Sequence, residues 1–136
     1  MSSLGFTGIA AGDVYPARFV KKTANDWEFA QAGANEPIFG ISQIGTNKAP
    51  IPDVTSDKAA EAGQSCRIHK EGERCLLQLG GTVAAGDRLK ADTDGKGVAI
   101  ATSGTTPQRY GAIALQGGSA NEFIEVEVQI GVESPA

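Results

Sequence analysis

Ile124, Val126, Val128 and Ile130 alternate with Glu125, Glu127 and Gln129. A period of two is that of a strand with one face in a core and the other in water. The same grammar runs through the second half of the chain. Arg88-Leu89-Lys90-Ala91 alternates polar with apolar, Asp94-Gly95 is a hairpin-turn signal, and 98–101 reads as the return strand. Gly86-Asp87 predicts a tight turn ahead of this hairpin, since Gly tolerates positive φ and the Asp side chain bonds nearby amides. Further strands are predicted at 18–21, 27–31, 37–41, 65–70, 74–79, 109–115 and 123–130. Residues 45–52, with Asn47, Pro50 and Pro52, read as a loop. Asp57-Lys58-Ala59-Ala60-Glu61-Ala62 reads as one short helix with Ser56 as N-cap and Gly63 as its stop. About nine short strands between Gly-rich turns predict an all-β chain, a compact small β-barrel or sandwich with at most one short helix. Residues 1–13 are glycine-rich, punctuated by Leu4, Phe6 and Ile9, and read as an N-terminal arm before a single β domain at 14–136.

Composition narrows this picture. The chain has 136 residues, enough for one domain, and 18 glycines against five Phe, two Tyr and one Trp. Its core must therefore come from Val, Ile, Leu and Ala. A net charge of −4 argues against general nucleic-acid binding, which needs a basic stripe to neutralise phosphates. No apolar run approaches the length of a membrane span. The first residues lack a basic leader, and their apolar positions are interrupted by Gly5, Thr7, Gly8 and Gly12, unlike a secretory signal.

Candidate chemistry is sparse. His69 is the single histidine. Cys66 lies three residues before it on the opposite strand face, and no orienting carboxylate is evident in sequence. One His and two Cys without CxxC spacing fall short of a zinc site. Asp92-Thr93-Asp94-Gly95 opens like a calcium loop, but the position that needs a bidentate acid is Ser103, so a β-turn is the better reading. Cys66 and Cys75 flank an expected hairpin turn at Glu71-Gly72-Glu73. If Lys70 pairs with Glu73, the two sulfurs sit diagonally, roughly 7–8 Å apart, which fits a disulfide poorly. Free thiols are expected. Neither a catalytic residue, a metal site nor a cofactor is predicted.

Two resemblances bear on function. Asp57-Lys58-Ala59, with Gly86-Asp87-Arg88-Leu89 downstream, looks like the lysine turn of lipoyl carrier domains. Its flanks carry Pro50, Pro52 and Ala59-Ala60-Glu61-Ala62, so neither reads as the strand that such a hairpin requires. The second resemblance is an ordered set: Phe19-Val20, Trp27, Gln31-Ala32, Ile38-Phe39-Gly40-Ile41, Gly86-Asp87-Arg88-Leu89, Asp94-Gly95, Tyr110-Gly111-Ala112-Ile113-Ala114-Leu115 and Ile124-Glu125-Val126-Glu127-Val128. Over residues 14–131 this set resembles the small capsid decoration, or cement, proteins of tailed bacteriophages.

That resemblance implies a compact β-barrel, commonly trimeric, without enzymatic activity. It implies a place on the outer capsid surface of the virion, bound to the major capsid protein lattice and bracing it, after synthesis in the bacterial cytoplasm. Neither nucleic acid nor membrane is an implied partner. Residues 1–13 and 43–63 lie outside the resemblance and are the expected places for capsid contacts. Leu4, Phe6 and Ile9 on the arm are the candidate partner-binding residues, since an apolar arm can order on contact with a repeating shell. The competing readings are a carrier or small enzyme using Lys58 or His69 and a carbohydrate-binding β-module using Trp27, Tyr15 and Tyr110 as platforms.

Overall fold

Strand pairing sorts the chain into two halves. The structure, a computed structural model, describes residues 6–34, 36–43, 59–100 and 108–133. β1 (Phe6–Ala10), β2 (Phe19–Lys22), β3 (Glu28–Gln31), β4 (Gly40–Ser42) and β5 (Ser65–His69) close into a barrel in the order β1-β3-β2-β4-β5. β6 (Arg74–Gln78), β7 (Arg88–Ala91), β8 (Gly97–Ala99), β9 (Gln108–Ala114) and β10 (Phe123–Glu133) form a second sheet in the order β6-β10-β9-β7-β8. That sheet is antiparallel throughout. Its outer strands curl toward each other, and Gly80 N–H donates to the Gly97 carbonyl at 2.8 Å beside a Leu79–Gly97 bridge. None of the described residues is helical. The chain is all-β, as its alternation predicts.

Adjacent apolar residues in the barrel wall explain why there are two cores. On β2, Phe19 packs with the second sheet while Val20 points into the barrel. Ile41 of β4 sits opposite Phe19 and joins the same outer cluster. The barrel interior is filled by Ala10, Val14, Val20, Phe29, Ala59, Ala60, Cys66 and Ile68. The larger core lies between barrel and sheet, where Phe19, Ile38 and Ile41 meet Leu77, Leu79, Leu89, Ile124, Val126 and Val128. One turn joins the halves directly: Phe19 N–H donates to the Gly95 carbonyl at 2.8 Å. Gly95 has φ +79°, and a Cβ there would meet Gln31 Cγ at 2.9 Å. Asp94-Gly95 thus makes both the predicted hairpin and the seam.

The structure departs from the sequence reading at three places. Residues 6–10 are not an arm. β1 runs parallel to β3 and antiparallel to β5, so it is the strand that closes the barrel. Gly8, which reads as flexibility in sequence, is a packing requirement, because a Cβ there would collide with the Phe29 ring. Second, the described part of the expected helix is not helical. Ala59 and Ala60 are both buried; Ala60 bridges Val14, whose carbonyl accepts the N–H groups of both at 2.7 and 3.1 Å. Ser56, Asp57, Lys58 and the expected loop at 45–52 lie outside the described residues.

Third, β5 and β6 are not a hairpin ladder. β5 pairs with β1 and β4, whereas β6 pairs with β10. Glu71-Gly72-Glu73 is a corner between the halves, made possible by Gly72 at φ +96°. The expected diagonal pairing of the two cysteines therefore does not exist. Cys66 belongs to the barrel interior and Cys75 packs against the larger core, and both are free thiols.

Candidate functional site

The corner supplies the carboxylate that the sequence reading missed. His69 Nδ1 lies 3.3 Å from Glu73 Oε1, and Glu73 Oε2 accepts the Lys70 N–H at 3.1 Å. The signal was the four-residue spacing, which a turn can fold back on itself. Among the described residues no thiol or hydroxyl is hydrogen-bonded to His69. Cys66 faces the barrel interior. The Cys75 thiol is pushed up to about 12 by burial and by the charge of Glu73, so it is not a nucleophile at neutral pH. The dyad's visible role is to hold the corner.

Asp92 works within its turn. Its Oδ1 accepts the N–H groups of Asp94 at 2.8 Å and Lys96 at 3.0 Å, an Asx-type arrangement. No group of three or more His, Cys, Asp or Glu able to hold a metal ion occurs among the described residues. Tyr15 and Tyr110 each lie under an arginine, with Arg18 and Arg88 at 5.2 and 5.3 Å from the ring centroids. Neither lines the groove that holds Trp27.

Of the expected partner-binding residues, Leu4 lies outside the described residues, and Phe6 begins β1 opposite Ile68. Ile9 faces outward on β1, 44% exposed, between Ser65 and Glu28. Its N–H donates to the Trp27 carbonyl at 2.7 Å. That bond leads to a groove of about 420 Å³ lined by Lys22, Asp26, Trp27, Phe29 and Phe39. It lies where β2 turns into β3, at one end of the barrel. Phe29 and Phe39 form its aromatic wall, with ring centroids 5.0 Å apart. Lys22 Nζ sits 5.6 Å over Phe29, held by the carbonyls of Thr23 and Asn25.

Trp27 is exceptional in two ways. It is 65% exposed, and its φ is +59°. A bulky residue in the left-handed region carries strain of order 1–3 kcal/mol, and Gly or Asn would make the same turn more cheaply.

A second exposed feature lies on the outer face of the second sheet. Glu125 pairs with Leu76 on β6, and its carbonyl accepts the Leu115 N–H at 3.0 Å on the other side. Leu76, Leu115 and Phe123 are 40%, 42% and 45% exposed and flank this carboxylate. The sequence alternation placed Glu125 outward, but only the β6–β10–β9 order brings the three apolar neighbours to it.

No protein-family model and no curated protein matches the chain. Among solved structures, the chain is similar to the head fiber gp8.5 N base of bacteriophage phi29, with TM-score 0.58 and 18% sequence identity. The alignment covers 93% of this chain and 93% of that chain. At this identity the likeness is one of fold.

Proposed function

We propose that the chain is a non-enzymatic structural protein of a tailed-phage head, a decoration protein that binds the outer surface of the major capsid protein lattice and braces it. The carrying observation is the shared fold with a phage head fiber base across 93% of both chains. The ordered resemblance to decoration proteins over residues 14–131 points the same way. The architecture suits the task, since a closed barrel leaves no free strand edge and a seam of paired cores resists shear. Attachment runs through exposed apolar side chains, with Ile9 on β1 and the Leu76–Leu115–Phe123 group around Glu125 as the two surfaces. In this reading the protein is a homotrimer, which would present each surface three times and gain avidity on a symmetric shell.

Co-sedimentation with phage heads that lack the protein tests the reading. The expected result is saturable sedimentation with the heads, weakened by Glu125→Lys at unchanged melting temperature. Protein that stays in the supernatant at every concentration overturns it. Light scattering on a sizing column tests the trimer, and a monomer mass at micromolar concentration removes that part.

A further inference from the structure

We propose that the groove at the β2–β3 end of the barrel is a binding site for a neutral sugar ring, with Trp27 as its stacking platform and Asp26 as its hydroxyl acceptor. This goes beyond the capsid-binding reading and does not depend on it. The groove's volume, about 420 Å³, lies within the range of small-molecule sites, roughly 300–1,000 Å³, and mouths of β-barrels are a favoured place for them.

The lining selects the ligand by charge. Lys22 already places an ammonium over the Phe29 ring, pinned there by two turn carbonyls. A second cation would meet that charge, so the aromatic wall is not an open cage for an ammonium ligand. Asp26 carries the opposite charge in the same groove, and among the described residues its carboxylate is in no hydrogen bond or ion pair. An anionic ligand would face it. What remains is an uncharged molecule with hydroxyl donors for Asp26 and an apolar C–H face for an indole. The π-face of an indole is the negative end of its quadrupole and attracts such C–H groups. A pyranose ring has both faces.

Trp27 supplies independent support. The turn at 23–28 needs a left-handed residue, and the chain places there the single tryptophan it has, 65% exposed at φ +59°. Backbone strain of this kind clusters at active sites and ligand clamps. Gly8 completes the construction, since its missing side chain lets the Phe29 ring lie against β1 and form the wall.

The single Trp makes the test direct. Trp27 emission is followed while the intact protein is titrated with short oligomers of glucose, galactose, mannose and N-acetylglucosamine. At least one of these should give a saturable change. Calorimetry with that sugar should show binding weakened about tenfold or more in both Trp27→Gly and Asp26→Asn. Trp27→Gly should melt no lower than the parent, because it relieves the left-handed strain. Asp26→Asn keeps the test open if the glycine variant folds poorly. No response to any of the four sugar series overturns the proposal. So does a response to tetramethylammonium or to an apolar tripeptide in place of the sugars, or sugar binding that both variants retain in full.

Discussion

Arg18 Nε donates to Gln78 Oε1 at 3.0 Å across the seam between the barrel and the second sheet. The same guanidinium donates to the Asp94 carbonyl at 2.9 Å and stacks on Tyr15. Partial burial lowers the Arg18 pKa from its ordinary value, with the nearby Asp94 and Asp92 charges opposing the shift. The seam is therefore tied by one charged fork in addition to its apolar core. Arg18→Ala should destabilise the protein by about 1.5–3 kcal/mol, the usual worth of hydrogen bonds to a charged group. Urea denaturation checks this. A double-mutant cycle with Gln78→Ala should show coupling of about 0.5 kcal/mol or more. An additive cycle would mean that the two side chains do not meet.

Two glycines should respond oppositely to the same substitution. A Cβ on Gly40 would collide with the His69 carbonyl and come within 2.9 Å of Ile68 Cγ2. The obstacle is backbone of the neighbouring strand, so nothing can yield without opening the β4–β5 ladder. Gly40→Ala should cost about 1–3 kcal/mol or more. A Cβ on Gly12 would meet nothing within 4 Å, and its φ is not left-handed. Gly12→Ala should be neutral or stabilising by up to about 1 kcal/mol, through a less flexible unfolded chain. Thermal melts of the two variants side by side test this pair.

Deletion of residues 2–12 should abolish the cooperative melt. It removes β1, leaving β3 and β5 with unpaired edges and the barrel interior open beside Ala10's neighbours. An arm would allow the same deletion with the melting temperature unchanged. Ile9→Ser, on the outward face of the same strand, should keep the fold, because Ile9 is 44% exposed. Circular dichroism of both proteins separates the two cases.

These outcomes bear on what a sequence can carry. The alternation at 124–130 and the Asp94-Gly95 hairpin were legible because each is local: side chains on one face, or a turn over four residues. The division into two cores was not, although Phe19-Val20 holds the clue. Two large apolar neighbours in one strand mean that both faces are buried, here one by the barrel and one by the sheet. β1 was hidden by Gly8, since composition cannot distinguish a glycine that bends from one that makes room for Phe29. Adjacency in sequence suggests one hairpin for Cys66 and Cys75. The corner at Gly72 sends them to different sheets, which only long-range pairing decides. Trp27 is conspicuous in the sequence, but Phe39, which lines the same groove, comes from beyond the next turn and only tertiary packing brings it there.

The buried Cys66 thiol and the half-buried Cys75 thiol make a prediction about alkaline pH. Burial raises the Cys66 pKa, and burial with the Glu73 charge takes Cys75 up to about 12. In the unfolded chain a thiol titrates at about 8.5. Below that pH both states hold the proton, and these groups give stability no pH dependence. Above it the unfolded chain releases protons that the fold retains, so stability falls as pH rises, by up to about 1.4 kcal/mol per pH unit for each thiol. For Cys75 the decline ends only as the folded thiol itself ionises near 12. Because Lys and Tyr also titrate there, the measurement is the difference between the parent and Cys75→Ala in urea midpoint, followed from neutral to alkaline pH. The parent should lose stability faster than the variant above the unfolded thiol's pKa. In the same preparations both thiols should resist alkylation until the protein is unfolded, and the intact mass should show no loss of two hydrogens. Parallel pH profiles, or rapid labelling of Cys75 in the native protein, would place that thiol in water and contradict its packing against the larger core.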